Sequence, residues 1–264
     1  MDNKIVYDKF DWEQLKAENL QKKIIIIKDF IPKDVKTIID IGCGNGIITN
    51  ALSDSYDITG VDRSVTALKF LKTKKILANA ENIPVEDNSF DMVFSSEMLE
   101  HLEDNTLSLS ISEMKRLSKK YILISVPNAE NPKKNSIECP KCKHIYPRSY
   151  HLQSFNLNKI SKLFSEYEVV KSVTAGKKVR YYHPLILSIK QRFSPSKSWI
   201  PYYWISDKQR QSICPKCENE FTFPYKFHLI ATTCDLVNIT LSKKKPYWLI
   251  ILLKKRINLK LYFR

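Results

Sequence analysis

The chain has 264 residues, 43% of them hydrophobic, enough to bury a full core in one large domain or one and a half. Residues 1–11 are polar and charged, unlike a signal peptide, and the longest apolar runs, 24–27 and 247–253, are too short to span a bilayer; this excludes a spanning helix and makes the cytoplasm the expected compartment. The formal charge of +15 divides unevenly, with 17 Lys and Arg against 21 Asp and Glu in residues 1–130, and 26 against 7 in residues 131–264.

In chain order, residues 12–30 read as one or two helices, with Leu15, Leu20, Ile24 and Ile27 near helical spacing. The apolar run Thr37-Ile38-Ile39-Asp40-Ile41 then breaks into Gly42-Cys43-Gly44-Asn45-Gly46 and resumes at Ile47-Ile48, as a buried parallel strand turning sharply into a helix does. Glycines let such a turn adopt positive φ and let a ligand lie against the backbone, while the helix N-terminus offers unpaired N–H groups. This is a nucleotide-type site at the carboxyl end of a strand. A dinucleotide fingerprint is excluded, because Ile47 stands where it needs Gly or Ala. Strand and helix signals alternate over residues 37–128, which implies a parallel sheet. Residues 106–119 read as a core helix with Leu107, Leu109, Ile111, Met114 and Leu117 on its apolar side. Residues 155–164 read as a helix, 167–173 as a strand, 175–226 as an insertion, and 227–242 as a helix returning to a last strand at 247–254.

The ordered motifs resemble those of the class I S-adenosylmethionine (SAM) methyltransferases. Asp40-Ile41-Gly42-Cys43-Gly44-Asn45-Gly46 is similar to motif I of that family. Ile58-Thr59-Gly60-Val61-Asp62 resembles its second strand, ending in the acidic residue that holds the ribose hydroxyls, with Arg63 beside it. Asn79-Ala80-Glu81-Asn82-Ile83-Pro84 resembles the segment along the adenine; Asn79 replaces the Asp of many members, keeping an acceptor but losing a charge. Residues 87–96 and 121–128 are similar to the fourth and fifth strands, and 247–254 more loosely to the last. The resemblance implies an α/β, Rossmann-like fold with a mostly parallel seven-stranded sheet flanked by helices. It also implies SAM as methyl donor, with Asp40, Gly42, Cys43, Gly44, Gly46, Asp62, Arg63, Asn79, Ala80, Glu81 and Ser96 around it, and a helical segment such as 12–30 covering the pocket.

Six cysteines in a reducing compartment need a role other than disulfides. Cys139-Pro140-Lys141-Cys142 and Cys214-Pro215-Lys216-Cys217 are two copies of one tetrapeptide. Each turn places two thiolates on one side of a tight loop, and two such turns complete a tetrahedral Zn²⁺ site, a closed structural staple with no open coordination position. The 71 residues between them imply a segment that leaves the metal and returns. Lys143 and Glu218 stand where such knuckles often carry Gly. Cys43 and Cys234 read as packing residues.

Residues 131–264 also hold 20 of the 29 aromatic residues, including Tyr181-Tyr182 and Tyr202-Tyr203-Trp204. Acceptor recognition belongs in this basic, aromatic-rich half. The candidate partners are an anionic small molecule, a glycan or lipid precursor, RNA, or a membrane surface; the alternative is a solvated lysine face over an aromatic core. The expected plan is a helical cap over 1–36, a SAM-binding core over 37–130, an acceptor region with both knuckles over 131–226, and a closing helix and last strand over 227–264.

Candidate catalytic residues lie in Ser96-Glu97-Met98-Leu99-Glu100-His101. If a helix begins there, Glu97, Glu100 and His101 fall at i, i+3 and i+4 on one face. The grouping is similar to the E-x-x-E-H of the ubiquinone-biosynthesis O-methyltransferases, where it is associated with a divalent cation, which raises Mg²⁺ as a second ion. Acidic residues in a first helical turn also simply complement the helix dipole. His101 is the candidate base for an acceptor hydroxyl; His144 and His151 flank the first knuckle, where either reaches substrate or satisfies a local hydrogen bond. No Asn/Asp-Pro-Pro-aromatic loop and no Pro-Cys nucleophile follows the fourth strand, which argues against nucleobase amino- and C5-methylation. The expectation is an O- or N-methyltransferase acting on a small-molecule, glycan or lipid-precursor acceptor. The alternatives are an RNA methyltransferase and a catalytically inactive SAM-domain and zinc-ribbon binding module.

Overall fold

The computed structural model describes residues 4–15, 17–193, 206–224 and 227–256, so the Tyr202-Tyr203-Trp204 cluster lies outside it. The strands are β1 (Thr37–Ile41), β2 (Asp57–Asp62), β3 (Lys74–Leu77), β4 (Phe90–Ser96), β5 (Ser118–Pro127), β6 (Ser136–Glu138), β7 (Ile145–Pro147), β8 (Tyr167–Arg180), β9 (Gln211–Ile213), β10 (Glu220–Thr222) and β11 (Lys244–Lys255). Seven of them form one sheet in the order β3-β2-β1-β4-β5-β11-β8. The pairings from β3 to β5 are parallel, and β11 runs antiparallel to both β5 and β8. The central strands are apolar on both faces because both are covered. Ile39, Ile41, Val93, Ile122 and Ile251 belong to one core cluster, while Ile38, Met92, Phe94, Leu123 and Ile250 belong to another.

The helices are α1 (Lys4–Asp8), α2 (Gln21–Phe30), α3 (Ile47–Leu52), α4 (Val65–Leu68), α5 (Asp104–Leu117), α6 (Leu157–Leu163), α7 (Pro184–Phe193) and α8 (Leu229–Leu241). The stretch expected to be helical over 12–30 is so only from Gln21; residues 12–14 and 17–20 are short 3-10 turns, and Leu15 is exposed. On α5 the buried set is Leu107, Ser110, Ile111, Met114 and Leu117. Leu109 is exposed and small Ser110 takes the inward position, as three- and four-residue steps from Leu107 require.

β8 runs seven residues past the expected end at 173, to Arg180. Its far half pairs only with the start of β11, from Lys244↔Arg180 to Trp248↔Ala175, forming a ribbon that projects beyond β5. Gly176 (φ +86) permits the close approach of Trp248, whose ring lies 2.6 Å from where a Cβ would stand. Two connections depart from the sheet. The β5–β8 connection carries the hairpin β6–β7 and α6, and the β8–β11 connection carries α7, the hairpin β9–β10 and α8.

Candidate functional site

Gly42, Gly44 and Gly46 all take left-handed backbone, with φ of 76°, 54° and 71°. The turn is anchored by Gly42 N–H and Cys43 N–H, which both donate to the Val61 carbonyl at the end of β2 (2.8 and 3.0 Å). Asp62 accepts from Gly44 N–H through one carboxylate oxygen and from Ser64 N–H through the other, both at 2.8 Å. Its carboxylate is thus fixed at the strand end with lone pairs to spare for hydroxyl donors. Asp40 is buried beneath the turn; one oxygen accepts from Thr49 Oγ1 (2.6 Å), and the other has no partner. Burial pushes its carboxyl up to about 7. Burial also raises the Cys43 thiol well above its ordinary value, which disfavours the thiolate, and its Sγ packs against Gly60. α3 is only six residues long, so the turn's own N–H groups outweigh any helix dipole. The turn, the fixed Asp62 and the orphaned Asp40 oxygen suit SAM.

Arg63 and Asn79 line an open cavity of about 450 Å³ beside Asp62, together with Asp8, Val65, Thr66, Leu77 and Ala78. Ala80 packs on the core, Glu81 is half-buried, and Ser96 ends β4 opposite Ser125. The N-terminal segment closes over the turn. The Trp12 ring comes within 2.8 Å of where a Gly44 Cβ would be, and Asn45 Nδ2 donates to the Trp12 carbonyl (2.9 Å). Tyr7 lies beneath the Arg63 guanidinium, 5.9 Å from ring centroid to Cζ.

Glu97, Glu100 and His101 do not share a helical face. Glu97 takes φ +55° and only Leu99–His101 forms a 3-10 turn, so the chain reverses where an α-helix was expected. The Glu97 carboxylate turns to the buried Lys23 of α2 (2.9 Å) and to Ser125 Oγ (3.3 Å). Glu100 is 1% exposed and neither of its carboxylate oxygens has a hydrogen-bond partner. Burial, then the nearby Glu97, raises its pKa well above the carboxylate range. His101 Nδ1 lies 2.6 Å from Tyr7 Oη and 3.2 Å from the Tyr150 carbonyl. Burial, with His151 next to it, pushes the His101 imidazolium down to about 3, so the ring is neutral.

In place of Glu97 the structure brings His151, whose ring stands 4.7 Å from that of His101, edge to face. His151 Nδ1 is 2.5 Å from Glu130 Oε2, and Lys134 holds the other Glu130 oxygen at 2.9 Å. Burial opposes the charge on Glu130, but His151 and Lys134 together bring it down to about 2. Sequence reasoning placed His151 beside the knuckle, within reach of substrate or of a local hydrogen bond, and missed Glu130, Tyr7 and Lys23. The available signal was position: Glu130 follows the carboxyl end of β5 by three residues, where ligand sites of parallel sheets gather. The backbone N–H groups of Leu152 and Gln153 donate to the Glu100 carbonyl (2.6 and 3.0 Å), locking the His151 segment to the β4 loop. A cavity of about 540 Å³ borders His151, lined by Pro132, Lys133, Ile145, Tyr146 and Leu152 among others. His144 stacks on Tyr146 (5.8 Å) at the knuckle. Ligand atoms of Glu100, His101 and His151 lie within 4.8 Å of one another. One carboxylate with two imidazoles suits a borderline transition metal, not the oxygen shell preferred by Mg²⁺.

The four knuckle cysteines converge from the two connections. Cys139 and Cys217 sulfurs are 3.6 Å apart, Cys142 and Cys214 sulfurs 3.5 Å, and all four lie within 4.8 Å. A tetrahedral Zn²⁺ with ligands at about 2.3 Å separates its sulfurs by about 3.8 Å, so the set fits zinc. The knuckles are conformational copies: Lys143 and Glu218 both take left-handed φ (59° and 58°), and their N–H groups donate to the Cys139 and Cys214 carbonyls (3.0 and 2.9 Å). The position that often carries Gly is therefore left-handed here without one. Tyr150 ties this module to the histidines. Its hydroxyl bonds Ser212 Oγ (2.9 Å) and the Ile213 carbonyl (3.0 Å), while its own carbonyl faces His101.

Comparisons with known proteins agree with this geometry. Residues 39–122 match the family model described as a methyltransferase domain. An uncharacterised protein of Methanocaldococcus jannaschii is 27% identical over 179 residues, 64% of this chain and 78% of that protein. A ubiquinone biosynthesis O-methyltransferase of Hydrogenovibrio crunogenus is 32% identical over 93 residues, 31% of this chain and 39% of that enzyme's length. The crystal structure of a SAM-dependent methyltransferase from Archaeoglobus fulgidus superposes with a TM-score of 0.57 at 17% identity, covering 92% of this chain and 96% of that one. Residues 39–122 are thus a methyltransferase domain, and the strand order and glycine turn around it are those of the class I SAM-dependent methyltransferase fold.

Proposed function

We propose that the chain methylates an oxygen or nitrogen of a small-molecule, glycan or lipid-precursor acceptor, with His151 as general base. The observation that carries this reading is the 2.5 Å contact between Glu130 and His151 Nδ1. An ionised carboxylate on Nδ1 orients the ring and leaves Nε2 as proton acceptor. SAM supplies an electrophilic methyl on a sulfonium, and transfer is an in-line displacement in which positioning carries much of the acceleration. Asp62 and the glycine turn hold the donor, and the cavity beyond His151 receives the acceptor, with Lys133 at its rim for an anionic group. The acceptor's proton passes to His151 Nε2 as the new bond to carbon forms and the sulfonium bond breaks. Zinc, held by Cys139, Cys142, Cys214 and Cys217, would have no open position and serves to place Tyr150 and His151.

RNA is the second reading, favoured by the cation excess of residues 131–264. Transfer of labelled methyl from SAM into a cell extract tests both. Label in the low-mass or organic-soluble fraction that survives ribonuclease and needs His151 supports the proposal. Label that vanishes with ribonuclease makes RNA the acceptor, and transfer undiminished in His151→Ala removes the base.

A further inference from the structure

We infer that α7 and α8 form a docking surface for an anionic lipid bilayer. This stands independently of the catalytic reading. The two helices pair antiparallel: Tyr181 N–H donates to the Lys243 carbonyl and His183 N–H to Asn238 Oδ1, ahead of α7 and at the end of α8. Their contact buries Leu187, Ala231 and Cys234 together with a polar cluster. Lys190 Nζ and Tyr182 Oη both reach Asp235 Oδ1 at 2.6 Å, and Lys190, Tyr182, Asp235 and Asn238 are all buried. The outward faces are apolar. Leu185, Ile189 and Phe193 follow one another at four-residue steps along α7, and along α8 Leu229 and Leu236 stand two turns apart, with Ile230, Val237, Ile239 and Leu241 also exposed. Leu185 and Leu229 each leave 69% of their surface uncovered. A helix pair in water normally buries its apolar side and exposes its polar one. Here a paired polar cluster lies inward and the large apolar side chains lie outward, as in helices whose outer solvent is lipid.

Charge selects the bilayer over other occupants. The only acidic residue of either helix is Asp235, already paired with Lys190. Lys177, Lys178, Lys243, Lys244 and Lys245 stand exposed on the β8–β11 ribbon and the turn leading into it, directly beside the hairpin's base. An apolar face with cations at its edge matches the acyl boundary and anionic headgroups of a membrane surface. A second copy seated on this face would bring lysine against lysine, and a plain polyanion would gain nothing from the exposed leucines. Among the described residues no helix is long and apolar enough to cross a membrane, so the hairpin would lie in the interface. The cavity at His151 is bordered by Gln191 of α7, so a docked hairpin would place that opening near the lipid surface.

The test is co-sedimentation of the full chain with vesicles of phosphatidylglycerol in phosphatidylcholine, against phosphatidylcholine alone. The wild type should sediment with the anionic vesicles. Ile189→Ser/Leu236→Ser/Leu241→Ser should lower its partitioning on the order of tenfold or more, with SAM affinity unchanged as proof of folding. Lys243→Gln/Lys244→Gln/Lys245→Gln should weaken binding severalfold and flatten its salt dependence. Absence of wild-type sedimentation at low salt overturns the inference. So does undiminished binding of the serine variant, which would make the surface a simple polyanion face such as RNA uses. Wild-type dimerisation that the serine variant abolishes, without vesicle binding, would assign the face to a second copy.

Discussion

The region from β1 to β5 and the region from residue 128 to residue 241 are held together by different means. In the first, strands of four to ten residues bury Ile, Val and Leu on both faces, and each element of the cofactor site follows its neighbour in sequence. In the second, four strands have three residues each, and the local core gathers Ile137, Tyr146 and Phe223 around two cysteine sulfurs. Its helix pair buries a polar cluster and leaves large apolar side chains exposed. The difference teaches that the glycine turn and Asp62 rest on contiguous buried strands, while the second region depends on staples between segments far apart in the chain.

The sharpest way to separate the two regions is His151→Ala. Losing a general base costs on the order of 10²–10⁴ in rate. Methyl transfer should fall within that range while SAM affinity, measured by calorimetry, stays unchanged; parallel loss of both would join the regions the account keeps apart. Asp62→Ala should do the reverse. Removing a charged partner worth about 1.5–3 kcal/mol should weaken SAM binding about 10- to 100-fold, with zinc content untouched.

Those two variants also mark how far the sequence could be read. Asp40, the three glycines and Asp62 were legible because one strand and one turn carry them, and a contiguous motif survives any uncertainty about tertiary contacts. The CPKC pair was legible because thiolate chemistry is specific. The Glu97, Glu100 and His101 grouping was read as one helical face, but left-handed φ at Glu97 reverses the chain, and the buried Lys23 of α2 takes that carboxylate. The meeting of Glu130 with His151, 21 positions apart, rests on the register between two loops, which no local pattern announces.

Tyr150→Phe probes the staple more gently. It leaves Ser212 Oγ and the Ile213 carbonyl without their shared phenol partner, a cost of about 1–2 kcal/mol. Thermal unfolding should register that loss, with activity falling severalfold because Tyr150 fixes the neighbouring His151 to the knuckle module. An unchanged melting point would show that the hydroxyl is not part of the staple.

The smallest expected effect lies in the core. The Asp40 carboxyl is raised by burial from 3.8 to about 7. Between those values the unfolded chain has released its proton and the folded chain has not, so this group's stabilising contribution is lost as pH rises through about 7. In SAM-free protein, Asp40→Asn should unfold like the wild type near pH 4 and should gain about 1 kcal/mol over it at pH 8. Parallel stability curves at both pH values would contradict the buried, uncharged Asp40.

The central claim is that SAM binding belongs to one region and acceptor chemistry to the other, whose two connections the four cysteines join. The most direct measurement is to strip the metal with a chelator and follow SAM affinity and labelled methyl transfer on the same sample, before and after Zn²⁺ is restored. The account expects SAM affinity to persist, transfer to disappear, and transfer alone to return with zinc. Protein that carries no zinc as purified, or SAM binding and transfer that fall together, would contradict it.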